Sequence, residues 1–382
     1  MELNGQPPRK RKKPVIVAIL AMHDDGKPFR GNSQNFVDLI ETGLKHGVHM
    51  YVITPRDFQL KRRSVPAYAY DRATNTWVRQ HIPRPVVIYN RLPYRKDEES
   101  PEVQEILKKC MEHPHVRIFN PSFFNKWQLF EWLRKSQTTR SFIPHTVQWG
   151  RQVRLLPLFA KSPLIYLKPE SGKAGAGIMQ LRRLKKARQP YVLNIQSGKA
   201  AKTYRFRSIK RLKHKLHTLI GKERYIVQQG ILLSHHEKRP FDLRVLVQKN
   251  GRGVWSLTGI GARIAGSKSI TTHVPRGGSI DDPKKLLSAV FGPEEAERIL
   301  RRVRIAALSI ARQIESGSQS ALGEMSMDIG VDAKGQLWFF EANSKPMRFD
   351  EPHIREKSLV NIVLYCKYLA NRPKRKKKDR GA

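Results

Sequence analysis

Residues 322–346, LGEMSMDIGVDAKGQLWFFEANSKP, constrain the fold more than any other stretch. Two runs rich in apolar residues flank a turn at Asp332-Ala333-Lys334-Gly335, the pattern of an antiparallel hairpin. In the first run Met325, Met327, Ile329 and Val331 share one face, and Glu324, Ser326 and Asp328 share the other. The second run, Leu337, Trp338, Phe339 and Phe340, reads as buried, yet it ends in Glu341 and Asn343, which point the same way. With the turn at 332–335, Val331 opposes Gln336, Asp328 opposes Phe339 and Ser326 opposes Glu341. Asp328 and Glu341 then lie diagonally on one face, with Cα atoms roughly 7–8 Å apart. Two carboxylates side by side in an apolar setting repel unless a cation sits between them. Asp, Glu and Asn oxygens suit Mg²⁺, which takes few carboxylates and fills its shell with substrate phosphates. The pattern predicts a magnesium site at Asp328, Glu341 and Asn343. The alternative is a solvated face with ordinary surface acids, and the apolar flanks of both strands argue against it.

A site of this kind wants phosphates. LKPESGKAGAGI, 167–178, offers a cradle, because Gly172, Gly175 and Gly177 let backbone N–H groups approach an anion closely. Lys168, at the end of the preceding strand, adds a fixed positive charge. The loop has neither Walker A spacing nor the strand-loop-helix order of a dinucleotide fold, so taken alone it also reads as a plain hairpin turn. In FDLRVLVQ, Asp242 and Arg244 share one strand face among Val and Leu. A near-buried guanidinium needs anionic partners, and its fork matches a phosphate or a carboxylate. A structural Asp242–Arg244 pair is the alternative.

PVIVAILAM (14–22) reads as a strand, Ser33 or Asn35 as the cap of a helix running to about His46, and VHMYVIT (48–54) as the next strand. This is a β-α-β unit, typical of an open parallel sheet. PVVIYNR (85–91), a helix at 100–112 with Pro101 in its first turn, and VRIFN complete an α/β lobe over 14–120. A helix capped near Ser122 follows. From 160 the chain turns to strands joined by glycine-rich and basic turns, with hairpins at 241–265 and 322–343, a long amphipathic helix at 293–314 and a last helix at 356–370.

With 382 residues the chain exceeds what one core usually holds. Cys110 and Cys366 stand far apart without a CxxC partner, which excludes a disulfide scaffold and a cysteine zinc site and fits a reducing interior. The apolar run Val15 to Met22 follows basic residues but lacks a small-residue cleavage site, so it reads as a first core strand rather than a signal peptide. No run approaches the ~20 apolar residues of a membrane helix. The net charge is +41. Part of it sits in RKRKK at 9–13 and KRKKKDR at 374–380, and a further block, Arg182 to Lys215, holds 13 Lys or Arg and no acid. An acidic polymer or other polyanion fits that charge. A soluble charged face fits it as well, and no helix-turn-helix, RRM or zinc-finger pattern supports nucleic-acid recognition.

A Lys-Pro strand with a small glycine loop, a strand ending in Gln-Gln-Gly-Ile, an Asp-x-Arg strand, then Asp328 followed by Glu341-x-Asn343, resembles the order of ATP-grasp enzymes. GEMSMDIGVDAKGQLWFFEANSKP is similar to the signature hairpin of the YheC/YheD group, described as endospore coat-associated ATP-grasp proteins. The resemblance covers roughly 15–370. It implies an α/β (α+β) chain: a basic flexible tail at 1–13, an N-terminal open α/β domain at 14–120, a two-subdomain ATP-grasp domain at 121–370, and a second basic tail at 371–382. It implies ATP and Mg²⁺ as cofactors, with Lys168 on the phosphates and Ser171, Gly172, Gly175 and Gly177 in a mobile loop above them. Main-chain groups around Gln229, Gly230 and Ile231 would meet the adenine. Arg244 would hold the γ-phosphate or an acyl phosphate, and with Lys168 would be catalytic. Ser326 stands where such strands carry a small glycine, and Lys202 is the candidate for a second phosphate-contacting lysine. The implied activity is a carboxylate–amine ligase acting through an acyl phosphate, with unidentified acid and amine substrates. The alternative is a non-catalytic ATP-binding structural protein of the spore coat. The implied location is cytoplasmic or spore coat-associated, away from membranes.

Overall fold

A computed structural model describes residues 14–59, 61–172, 175–197, 200–266 and 277–373. The expected basic tail at 1–13 and, of the second at 371–382, residues 374–382 fall outside these residues. The chain divides into two compact units, 1–121 with 250–253 and 359–382, and 122–249 with 254–358. The second half of the closing helix therefore groups with the first unit, whereas the sequence reading kept that helix whole with the ATP-grasp domain.

The first unit is built on a six-stranded sheet. Its elements are β1 (Val15–Leu20), α1 (Ser33–Lys45), β2 (Val48–Ile53), β3 (Ser64–Asp71), β4 (Thr76–Pro83), β5 (Val87–Asn90), α2 (Arg95–Glu98), α3 (Pro101–Glu112) and β6 (Arg117–Phe119). The order is β4-β3-β2-β1-β5-β6, with β2, β1, β5 and β6 parallel. β1 is buried along its length from Val17 to Leu20, as a strand covered on both faces must be. α1 is capped by Asn32, whose side chain accepts from the Asn35 N–H, one position earlier than the expected Ser33. The β3–β4 hairpin was not legible in sequence: β4 exposes most of its side chains, so no apolar alternation marks it.

The second unit carries two further sheets. The first uses α4 (Lys126–Arg134), β7 (Thr146–Gln148), α5 (Leu155–Lys161), β8 (Leu164–Pro169), β9 (Met179–Arg183), β10 (Tyr191–Ser197), β11 (Ala200–Phe206), α6 (Ile209–Ile220) and β12 (Tyr225–Gln229). Its order is β11-β10-β9-β8-β12-β7. Leu155, Leu158 and Phe159 of α5 and Leu212, Leu216 and Ile220 of α6 cover one face, against Ile165, Leu167, Leu181 and Leu193. The opposite face, presenting Leu164, Tyr166 and Lys168, is left open. α4 starts after Asn125, whose side chain caps the Gln128 N–H; the expected cap near Ser122 is three residues too early.

The other sheet is made by β13 (His235–His236), β14 (Arg239–Lys249), β15 (Trp255–Ile264), β16 (Ser279–Asp281), β17 (Glu324–Val331) and β18 (Leu337–Asn343), in the order β16-β15-β14-β17-β18 with β13 beside β14. α7 (Pro283–Phe291) and α8 (Pro293–Ser318) follow β16, and α9 (Pro352–Ala370) follows β18. The core joins Leu243, Val245, Met325, Met327, Ile329 and Phe339 to Ile299, Val303, Ala307 and Ile310 of α8. Met325, Met327, Ile329 and Val331, the apolar face read for the hairpin, enter this core, and the polar face of β17, Glu324, Ser326 and Asp328, is buried as well. Among the described residues no helix is long and apolar enough to cross a membrane.

Candidate functional site

The two open sheet faces of the second unit meet in a cleft of about 260 Å³. Tyr166 and Lys168 of β8 and Gln180 of β9 line one side, and Asp242, Asp328, Phe340 and Glu341 line the other.

The hairpin carries its acids differently from the simple register. Val331 pairs with Leu337 and Ile329 with Phe339, but Asp328 pairs directly with Glu341 and Ser326 with Asn343. One extra residue, Phe340, has entered β18 between these pairs as a β-bulge. The bulge breaks the alternation, so Phe339 points into the core while Phe340 and Glu341 both reach the cleft. The expected pairings Val331–Gln336, Asp328–Phe339 and Ser326–Glu341 are thus corrected to Val331–Leu337, Asp328–Glu341 and Ser326–Asn343: the turn takes one residue more than 332–335, and the bulge adds a second. Arg244 of β14 stands directly across from Asp328 on the other side, so Glu341, Asp328 and Arg244 form one row across three strands.

Each carboxylate already faces a cation. Asp328 Oδ2 lies 2.8 Å from Arg263 Nη2. Arg263 also grips Asp242 with both prongs of its fork, Nε to Oδ1 at 3.0 Å and Nη2 to Oδ2 at 2.9 Å. The three side chains are buried, which only a matched set of opposite charges permits. Burial works against the Arg263 charge, but the Asp242 and Asp328 carboxylates outweigh it and raise its pKa. The Asp242 partner is therefore Arg263, not Arg244. Glu341 Oε2 lies 3.1 Å from Lys126 Nζ, and the same ammonium donates to the Gly172 carbonyl at 2.9 Å. Lys126 so ties the foot of the glycine loop to the acidic row.

Neither Lys126 nor Arg263 was singled out in the sequence, though both carry a signal. A lysine as the first helical residue after a cap sits against the positive end of the helix dipole and needs an acid nearby. An arginine inside the apolar run Gly261-Ala262-Arg263-Ile264-Ala265 needs buried anions. Lys202, the sequence candidate for a second phosphate lysine, is exposed on β11, with its Nζ 5.5 Å from the Tyr204 ring centroid. It does not line the cleft.

Lys168 reaches the cleft from the end of β8. Its ammonium donates to Gln228 Oε1 at 2.7 Å and stands 5.4 Å from the Phe340 ring centroid. Burial lowers its pKa to about 8, against the raising influence of Glu341 and with a further lowering from Lys126. Of the loop residues, Ser171 and Gly172 form the turn after β8, and 173–174 lie outside the described residues. Gly177 has φ +69°, and a Cβ there would fall 2.7 Å from the Pro169 ring.

At the far end of the cleft, Gln229 and Ile231 line the wall. Gly230 is held more tightly: its N–H donates to Leu164 O at 2.8 Å and its carbonyl accepts from Ser162 Oγ at 2.9 Å. A Cβ at Gly230 would fall 2.4 Å from Leu164 Cγ, so the strand crossing requires glycine there. Arg244 donates to the Met347 carbonyl at 3.3 Å, and its guanidinium stacks 4.7 Å from the Phe349 ring centroid.

Among the described residues no three His, Cys, Asp or Glu side chains form a cage that would hold a cation alone. The donor set is instead two opposed carboxylates and an amide, with Asn343 Nδ2 3.4 Å from Glu341 Oε1. Ser326 Oγ, directly opposite Asn343, is buried without a hydrogen-bond partner. A set of hard oxygens, one of them orphaned, suits Mg²⁺ completed by phosphate oxygens.

The sequence model of the YheC/D-like ATP-grasp family matches residues 115–369. The chain is 28% identical over 354 residues to the endospore coat-associated protein YheD of Bacillus subtilis, covering 91% of this chain and 76% of that one. It is 23% identical to the endospore coat-associated protein YheC of the same organism, covering 87% of this chain and 91% of that one. Among solved structures, the ATP-grasp ligase PsnB complexed with minimal precursor aligns over 93% of this chain and 100% of its own, with TM-score 0.52 at 14% identity. The D-alanyl-alanine synthetase A of Vibrio cholerae aligns over 94% and 99%, with TM-score 0.51 at 11% identity. At those identities the likeness is one of fold.

Proposed function

The chain belongs to the YheC/D-like ATP-grasp family, and from that premise we propose that it is an ATP-dependent carboxylate–amine ligase that needs Mg²⁺. The observation that carries this reading is the row Glu341–Asp328–Arg244, of which Asp328 and Glu341 line one cleft with Lys168, while Lys126 pairs with Glu341. Acids to hold a metal and cations to hold phosphates converge there, which is what phosphoryl transfer requires.

In the proposed reaction a substrate carboxylate oxygen attacks the γ-phosphorus of ATP. The new O–P bond forms as the bridging bond to ADP breaks. An amine then attacks the acyl carbon, the C–N bond forms, phosphate leaves with the C–O electron pair, and the amine gives up a proton. Lys168 and Lys126 balance charge on the phosphates, and Arg244 holds the transferring phosphoryl group or the acyl phosphate with its fork. Ser171, Gly172, Gly175 and Gly177 offer backbone donors from above, and Gln229, Gly230 and Ile231 border the nucleobase. Since the Gly230 N–H and carbonyl are both engaged, the base would read the main chain of its neighbours. Asp328, Glu341 and Asn343 would hold Mg²⁺, which when bound neutralises phosphate charge. Arg263 pairs with Asp328 and fixes its orientation.

The names of the two Bacillus relatives support a place at the spore coat. A coat protein that binds ATP without turnover is the second reading, and the intact set Lys168, Asp242, Arg244, Asp328, Glu341 and Asn343 favours turnover. Calorimetry with Mg·ATP tests the first step: saturable binding that EDTA weakens is expected, and no binding at millimolar ATP sinks the assignment. ADP release, screened against carboxylate and amine libraries, separates an enzyme from a silent binder.

A further inference from the structure

The block from Arg182 to Lys215 holds 13 cations and no acid. One of them, Lys199, lies outside the described residues; none of the other twelve makes an ion pair within the described residues. Other basic surfaces of the unit differ: on α8, Arg298, Arg301 and Arg302 each face Glu294, Glu295 or Glu297. A dense patch of like charge with no acid paired to it among the described residues repels itself.

The fold places part of this charge on one face. Leu164, Arg182, Val192 and Arg205 pair in one row across β8, β9, β10 and β11, so their side chains share a side. Leu164 lines the cleft, hence Arg182 and Arg205 continue the cleft face outward. The next row is a hydrogen-bonded ladder. Thr203 donates to Asn194 at 2.8 Å, Asn194 to Gln180 at 3.0 Å, and Gln180 to Tyr166 at 2.9 Å. Lys185, Lys186 and Arg188 sit exposed in the turn beside the Arg182 row. β11 is the last strand of its sheet, so its outer backbone edge has no neighbouring strand among the described residues.

We propose that this face, the β9–β11 rim with Arg182 and Arg205 at its centre, docks an acidic polypeptide. An extended chain carrying Asp or Glu side chains can lie across the row, giving carboxylates to the two guanidinium forks. A nucleic acid fits less well. Binding of single strands uses exposed aromatic platforms, whereas Tyr204, Phe206 and Tyr191 are turned into the α5–α6 side of the sheet. The docking surface is separate from the catalytic reading and does not depend on it.

The test uses the full chain and labelled poly-L-glutamate, followed by fluorescence anisotropy at rising salt. Arg182→Glu/Arg205→Glu should weaken binding by about tenfold or more. Arg304→Glu/Arg312→Glu, the same charge change at exposed sites on α8, should change it by less than about threefold. Circular dichroism melts confirm that both variants fold. Equal losses in the two variants would reduce the effect to net charge and overturn the site. So would the absence of poly-L-glutamate binding. Tighter binding of duplex or single-stranded DNA, with the same dependence on Arg182 and Arg205, would replace the polypeptide by a nucleic acid.

Discussion

Asp328 and Glu341 stand directly opposite each other across β17 and β18, and each faces its own cation, Arg263 at 2.8 Å and Lys126 at 3.1 Å. Two adjacent acids are thus each charge-paired within the protein itself. Arg263 is locked between two buried carboxylates, while Lys126 is held by one acid and a loop carbonyl, so Lys126 is the cation freer to swing toward a phosphate.

Glu341→Gln is expected to cost more ATP-dependent turnover than Asn343→Asp, which keeps an oxygen ligand and adds charge. From the sequence, removing one of two repelling acids relieves strain, so the ligand-free variant should melt no lower than wild type. The Lys126 pair reverses that sign. Glu341 and Lys126 are 18% and 12% exposed, and the amide leaves the ammonium without its acid. A loss of about 1–2 kcal/mol in ligand-free urea unfolding is expected. Wild-type stability together with full ADP release would remove both the pair and the metal role.

Arg263→Met should be the most damaging single change to stability in the site. It leaves Asp242 and Asp328 buried and close together without the guanidinium that pairs with both, at a cost of about 3–5 kcal/mol. Asp242→Asn in the same background should recover part of the loss. A mild effect of Arg263→Met in urea unfolding would mean that other groups balance the two acids.

Arg244→Lys is expected to keep much of the ATP affinity and lose about 10²-fold or more in kcat, because an ammonium cannot span a developing phosphoryl charge as the fork does. The measurement pairs calorimetry with ADP release. If the lysine variant turns over like wild type, Arg244 serves to anchor residues 347–349, where it donates to Met347 and stacks on Phe349.

Much of this site could be read from local pattern. Alternation alone put Asp328 on the cleft face, and the apolar faces of β17 and α8 followed from their periods. What the pattern could not give was non-local. The turn takes one residue more than counted and the bulge at Phe340 adds another, so counting from the turn misplaces every pair of the hairpin. Arg263 lies 65 positions before Asp328 and Lys126 lies 215 before Glu341, and only the assembled sheets bring them together. Lys202 looked equivalent to Lys126 in charge, but topology carries it to an edge strand.

Lys168 gives the site a pH dependence with a definite sign. Burial lowers its pKa from 10.5 to about 8, so between those values the unfolded chain holds a proton that the folded protein has released. Stability contributed by this group therefore rises as pH increases from about 8 toward 10.5, and its full burial cost is felt below pH 8. Nucleotide binding runs the other way. Phosphate oxygens favour the charged ammonium and raise its pKa on binding, so Mg·ATP affinity should fall as pH climbs above 8. At pH 8.5 binding should take up a fraction of a proton, seen as different calorimetric enthalpies in two buffers of unlike ionisation heat. Lys168→Arg stays charged throughout this range and should lose both the uptake and the pH slope, even if its longer side chain binds less tightly. Identical buffer dependence in wild type and Lys168→Arg would show that another group takes up the proton and would separate Lys168 from the phosphates.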